Sequence, residues 1–275
     1  MLSLCWGSME GVDLETFLSC AASAGFQAVT LNTAYYREAQ EKGYSDKDLG
    51  QLLTDHGLTV SDIDPLFNWM PDSVSLEGSD PISLCSQASM EDIFHLAHVA
   101  GTEIVNAPLG FSNPDSEQQI VDGFAALCER ASREGLRVSL EFMPFNQVPN
   151  LATAARIVEQ AGCANGGIMF DCWHHHRAGG TAEDILRVPG EKFFAMQLDD
   201  AMPQAMDDIL DETLNHRLLP GEGCINLPEI LGALQTVGAG VIYDVEVFQA
   251  SLRDLPAETR AQLMFDASSS VLHKL

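Results

Sequence analysis

Glu141, Asp171, Gln197 and Glu246 each fall near the end of a short apolar run, in "VSLEFMPF", "GIMFD", "FAMQLDD" and "YDVEVF" respectively. Each offers an oxygen donor close to the end of what reads as a buried strand. Three carboxyls gathered in a dry interior lose hydration and repel one another, unless a cation compensates or some of them protonate. One divalent metal ion is the simplest resolution. An oxygen-dominated set suits Mg2+ or Mn2+, and Co2+ or Zn2+ could also occupy it. Any one of these residues alone could be a strand-end carboxylate paired with a local Lys or Arg. The chain holds only 14 such bases, so the set of four carries the reading. Directly after Asp171, the stretch "FDCWHHHRAGG" (170–180) adds three consecutive histidines and an arginine.

Elements that could position this set are readable along the chain. Strand candidates fall at 2–6, 28–33, 58–66, 103–109, 137–145, 167–173, 194–200 and 241–248. Helical patterns lie between them, with starts at Asp13, Ser45 and Ser89 and stops at Gly25, Gly57 and Gly101. No linker or low-complexity run divides the 275 residues. Eight strands alternating with helices predict a single α/β domain over 1–275, a (β/α)8 TIM barrel. The rival, a doubly wound sheet, lacks a Gly-rich phosphate loop after the first strand. The turn-rich segment 67–83 reads as a lid or rim loop, and 254–275 as a C-terminal helix. In such barrels the loops at the C-terminal strand ends build the active site. Neighbouring strands stand about 5 Å apart, so donors from strands five to eight could converge on one point.

Composition narrows the class further. Forty acidic residues against 14 basic ones give a net charge of −26, a field that opposes nucleic acid and anionic membrane surfaces. No apolar run is long enough to span a bilayer, and "MLSLCWGSMEG" has neither a basic n-region nor a small-residue cleavage site. Seven cysteines without a CxxC argue against a thiolate zinc site and fit a reducing cytoplasm.

The ordered motifs "LEFMPF", "FDCWHHHRAGG", "QLDDA", "RLLPGEG" and "VEVF" resemble the sugar phosphate isomerase/epimerase-like family of the xylose-isomerase-type TIM-barrel superfamily. The resemblance covers residues 136 to 248 well, and the first half only in its strand–helix rhythm. It implies that Glu141, Asp171, Gln197 and Glu246 are metal ligands. Glu141 and Glu246 would also be the catalytic acid/base pair. His174 matches a position close to metal and substrate, and Arg217 matches an arginine that faces the substrate. Gln197 stands where many sugar epimerases have histidine. That departure keeps the ligand set intact and is similar to metal-dependent 3-dehydroshikimate dehydratases. Self-association as a homodimer or homotetramer is implied in the same way.

The chemistry expected is proton abstraction beside a carbonyl, through a metal-stabilised enediolate. The substrate would be a small polar molecule: a sugar, a sugar phosphate or a hydroxy-keto acid. An isomerase or epimerase acting on a sugar or related polyhydroxy ketone leads, with a dehydratase of the dehydroshikimate type as the alternative. An abasic-site endonuclease would need more strand-end histidines and a basic groove, and a non-catalytic barrel would leave the donor set without a purpose. Trp6 and His175 are expected at the substrate wall, although His175 and His176 also read as loop residues packing on neighbours. Glu222 is a candidate brace for Arg217. Asp64, Asn68 and Trp69 could line the mouth, whereas His95 and His98 read as an ordinary helix-face pair.

Overall fold

A computed structural model describes residues 1–275. Eight parallel strands close into a barrel in sequence order. They are β1 (Leu2–Leu4), β2 (Ala28–Leu31), β3 (Thr59–Ile63), β4 (Ile104–Pro108), β5 (Arg137–Glu141), β6 (Gly166–Asp171), β7 (Phe193–Leu198) and β8 (Tyr243–Val245). The ring closes where β8 pairs with β1, with Ser3 beside Asp244 and Leu4 beside Val245. Every strand candidate corresponds to one of these, but all eight overrun the C-terminal end. The apolar pattern continues after the ladder stops, because the first loop residues turn inward over the mouth instead of pairing sideways.

Local signals set the helix ends. Asp13 accepts a hydrogen bond from the Thr16 amide and starts the Leu14–Ala24 helix. Ser45 with Asp48, and Ser89 with Asp92, form capping boxes. Gly25 and Gly101 end their helices at φ 105° and 71°, a conformation that costs a side chain with a Cβ. Segment 67–83 differs from a free loop. Phe67, Trp69 and Met70 are buried, the Trp69 indole donates to the Pro108 carbonyl at 2.7 Å, and a helix begins at Pro81. At the C-terminus, helix Ala257–Leu272 follows a short turn at Ala250–Arg253. No helix is long and apolar enough to cross a membrane. All seven cysteines are free.

Inside the barrel, one level below the mouth, the filling is polar. Ser3 and Ser61 hydroxyls lie 2.9 Å apart, and Ser61 donates to Asp244 at 2.8 Å. Asp62 is fully buried, and neither of its oxygens receives a protein donor. Burial first, then the charges of Asp244 and Asp64, hold the Asp62 carboxyl well above the usual range. Burial also pushes Asp244 up to about 6. Both carboxyls are therefore held toward their protonated forms.

Raised folded-state values mean that this pair costs little below the unfolded carboxyl range near pH 4. The cost grows as pH rises above about 4, where the unfolded chain has released protons that the folded one retains, and for Asp244 it levels off above about 6. Asp62→Asn should therefore gain stability over the parent between pH 5 and pH 8, by roughly 1–3 kcal/mol. Urea midpoints at the two pH values measure this, and an identical difference at both would rule out a raised Asp62 carboxyl.

Candidate metal centre

Four neighbouring strands deliver the expected donors to one level of the mouth. Glu141 ends β5, Asp171 ends β6, Gln197 lies in β7, and Glu246 follows β8 directly. Register pairs Asp171 with Gln197. All four are buried, none more than 4% exposed. Carboxylate and imidazole atoms of Glu141, Asp171 and His174 lie within 4.8 Å of one another, and so do those of Cys5, Asp64 and Glu246.

At the centre stands Arg217, only 2% exposed. Its Nη1 donates to Asp171 at 2.8 Å, Asp199 at 2.6 Å and Glu246 at 2.9 Å. Nη2 donates to the Thr213 hydroxyl at 2.9 Å and faces His174 Nε2 at 3.4 Å, while Nε donates to the Thr213 carbonyl at 3.1 Å. The guanidinium lies 5.3 Å from the Trp173 ring and 5.0 Å from the Phe248 ring. The sequence turns Arg217 toward substrate; the structure turns it onto the carboxylates. Asp200 accepts from the amides of Gly221, Gly223 and Ile225, and so folds the loop that carries the arginine. Glu222 is exposed and does not brace Arg217. Thr213 does.

The glutamates are held differently. Glu246 Oε1 receives the Cys5 thiol at 3.1 Å and the Gln197 amide at 3.0 Å, and Oε2 receives Arg217. Glu141 Oε2 receives only the Asn106 amide, at 2.7 Å, and its Oε1 faces His174 Nε2 at 3.4 Å. The same Asn106 nitrogen donates to Asp64, which also receives the Trp6 indole. Burial and neighbouring carboxylates push Glu141, Glu246 and Asp199 well above their usual values. Burial acts in the same direction on Asp171, but Arg217, His174 and the His174 amide outweigh it and hold that carboxyl low. His174, pushed down to about 4 chiefly by burial, is neutral at pH 7.

One expected residue lies elsewhere. His175 does not reach the substrate side. Its ring packs against Phe142 and Phe170, its Nε2 meets the Thr181 carbonyl at 3.1 Å, and a Cβ on Gly180 would fall 2.2 Å from it. On a helix starting at Cys172, residue 175 points away from the face that carries His174. His176 lies on the same short helix, 3.4 Å from the Cys224 thiol. His95 and His98 pair with surface carboxylates, and Asn68 donates to the carbonyls of Ser86 and Ala88. Asn106, Asp199 and Cys5 join the site without having been singled out. Only Asp199 carried a local signal, as the neighbour of Gln197 in "QLDDA".

Gln197 Oε1 and His174 Nδ1 are buried and have no hydrogen-bond partner. The orphaned Gln197 oxygen beside crowded carboxyls fits a cation, and the mainly oxygen donor set fits a divalent one. Removing Arg217 would leave three carboxyls facing one another without a protein cation. Arg217→Met should lose about 3–5 kcal/mol of stability, and added Mn2+ should recover part of it. Denaturation with and without metal tests this, and an undiminished metal-free stability would contradict it.

Comparison with known proteins gives the family of the fold. The chain is 31% identical over 160 residues to an inosose isomerase of Halalkalibacterium halodurans, spanning 58% of this chain and only 56% of that relative. A 3-dehydroshikimate dehydratase of Pseudomonas aeruginosa is 28% identical over 92% of this chain, which covers just 39% of that protein. A crystal structure of an IOLI protein with a bound zinc atom superimposes with a TM-score of 0.84 at 23% identity, covering 99% of this chain and 98% of the other. D-psicose 3-epimerase superimposes with a TM-score of 0.70 at 16% identity, covering 98% and 97%. Residues 18–267 match the sequence model of the xylose isomerase-like TIM barrel, and the chain belongs to that family.

Proposed function

We propose that this chain is a divalent-metal-dependent isomerase or epimerase, moving a proton on the carbon beside a carbonyl of a sugar or related polyhydroxy ketone. The observation that carries the reading is the pair Glu141 and Glu246, delivered by separate strands into two adjoining donor groups, Glu141 with Asp171 and His174 and Glu246 with Cys5 and Asp64, which Arg217 bridges from Asp171 to Glu246. Glu141, Asp171, Gln197 and Glu246 would hold the ion, Mn2+ or Mg2+ by the oxygen donors, with Zn2+ or Co2+ compatible with nearby His174 and Cys5. When bound, the ion polarises the substrate carbonyl and offsets the negative charge that develops as the proton leaves.

The chain's own residues divide the remaining work. Glu141, with one amide donor on its carboxylate, is the freer proton acceptor. Glu246 is fixed by a thiol, an amide and a guanidinium, and stands ready to deliver or take a proton from its own side. His174 is neutral and buried, so it orients groups without adding charge. Trp6, held on Asp64, supplies a flat wall beside β1. Proton return to the other face gives an epimer, and return to the neighbouring carbon gives an isomer.

A second reading, loss of a β-hydroxyl as water, is favoured by Gln197 and by the 28% identity over 92% of the chain to a dehydroshikimate dehydratase. The inosose isomerases in the comparison favour the first reading, including one of Bacillus velezensis aligned over 99% of this chain at 23% identity.

Incubation of the Mn2+-loaded protein with polyhydroxy ketones in deuterated water should put deuterium on the carbon beside the carbonyl. Glu141→Gln and Glu246→Gln should each slow that exchange by about 10^2–10^4-fold. Exchange that survives in both variants sinks the acid/base assignment, and a product lighter by one water moves the reaction to the dehydratase reading. Chelation should abolish exchange, and bound metal measured by elemental analysis should fall in Asp171→Asn. Metal content unchanged in that variant counts against the ligand set.

A further inference from the structure

We propose that Cys128 and Cys163 are an oxidisable dithiol: peroxide that reaches Cys163 through an adjoining cavity converts the pair into a disulfide, which the fold accommodates without rearrangement.

Two elements bring these thiols together at the N-terminal end of β6, opposite the mouth. Cys128 lies on the helix Glu117–Ser132, and Cys163 on the turn between the helix Leu151–Ala161 and β6. Cys163 Sγ approaches the Ala125 carbonyl at 3.9 Å. Ala125 and Cys128 stand three residues apart, on one face of their helix. From the other side, a Cβ on Gly166 would fall 3.1 Å from Cys128 Sγ, and the Gly166 amide donates to the Cys163 carbonyl at 3.3 Å. Asn165 fastens this turn to the helix, because its Nδ2 donates to the carbonyls of Cys128 and Leu136, each at 2.9 Å. Burial first, then the neighbouring Cys163, raises the Cys128 thiol, and the Lys192 ammonium acts against them.

Access to the two sulfurs is unequal. Cys128 is fully buried, whereas Cys163 is half-buried and lines a cavity of about 530 Å3. Val158, Ile168 and Val188 give this cavity apolar walls, and Lys192 lines it as well. The Lys192 ammonium stands 3.5 Å from the Gly166 carbonyl, beside the same turn. A cation in that place favours the thiolate, the form that reacts. Cys5, Cys20, Cys85 and Cys172 are buried, and the exposed Cys224 meets His176 Nε2 and the Met202 carbonyl.

The oxidation balances with one peroxide. The Cys163 thiolate attacks a peroxide oxygen, an S–O bond forms and the O–O bond breaks. The departing hydroxide takes up the proton that the thiol released and leaves as water. Cys163 has then lost two electrons and is a sulfenic acid. Cys128 sulfur attacks that sulfur, the S–S bond forms as the S–O bond breaks, and the Cys128 proton leaves with the hydroxyl as a second water. The crosslink closes the segment from 128 to 163, which contains β5, and so restricts the unfolded chain.

The test is stoichiometric hydrogen peroxide on the full-length, reduced protein, quenched by alkylation and mapped by mass spectrometry of its peptides. A linked Cys128–Cys163 peptide pair should form, lighter by two hydrogens than the free peptides, and dithiothreitol should release it. Cys163→Ser should lose the pair, and Cys128→Ser should stop at a sulfenic acid on Cys163 that dimedone traps. The urea midpoint of the oxidised protein should exceed that of the reduced one, and the difference should vanish on reduction. Oxidation confined to Cys224, or a linked pair that forms only in urea-unfolded protein, overturns the proposal. So does a urea midpoint lowered by oxidation, since the native geometry would then resist the bond. Peptide mapping of the parent protein decides the matter even where a serine variant fails to fold.

Discussion

The buried contact of Arg217 with Asp171, Asp199 and Glu246 is the constraint on which the mouth of this barrel depends. Carboxyls packed this closely in a dry interior repel one another strongly. A single guanidinium nitrogen within 2.9 Å of all three removes much of that cost. The arginine is in turn fixed by Thr213, by two aromatic rings and by a loop that Asp200 folds through backbone amides. The site is thus held by its own electrostatics, and the segment between β7 and β8 closes the centre as much as the strands do.

Two layers of acid fill the upper barrel. The mouth layer gathers Asp171, Asp199 and Glu246 on the single guanidinium of Arg217. The layer beneath, Asp62 with Asp244, has no cation, and burial holds both carboxyls above their usual range while the Ser61 hydroxyl donates to Asp244. A barrel interior of this kind gives up packing stability for polar groups, a trade found where a fold serves a site. The acidity of the whole chain extends the same sign of charge outward.

Much of the fold was legible because its signals are local. Alternating apolar runs and capped amphipathic segments report on a few consecutive residues, and Asp13, Ser45 and Ser89 cap helices as their types predict. Strand ends were less legible, since a ladder stops where its neighbour leaves and not where hydrophobicity stops. Within the site, Glu141, Asp171, Gln197 and Glu246 were recognisable as polar residues interrupting buried runs at one level. Asn106 and Asp199 interrupt runs in the same way, but nothing local separates a residue that touches a neighbour's carboxylate from one that fills the interior.

Sequence alone therefore determined the barrel, the strand-end donors and the sign of the field, because each follows from residue type and spacing along the chain. Tertiary structure decided the partners. It joined Arg217 to three carboxyls from other segments, set Cys5 on Glu246 across the closure of the ring, and turned His175 into the packing behind β6 while His174 stayed at the centre. Those outcomes depend on which residues from distant parts of the chain meet at one height of a closed sheet, and on the helix phase after Asp171, which directs adjacent histidines to different sides.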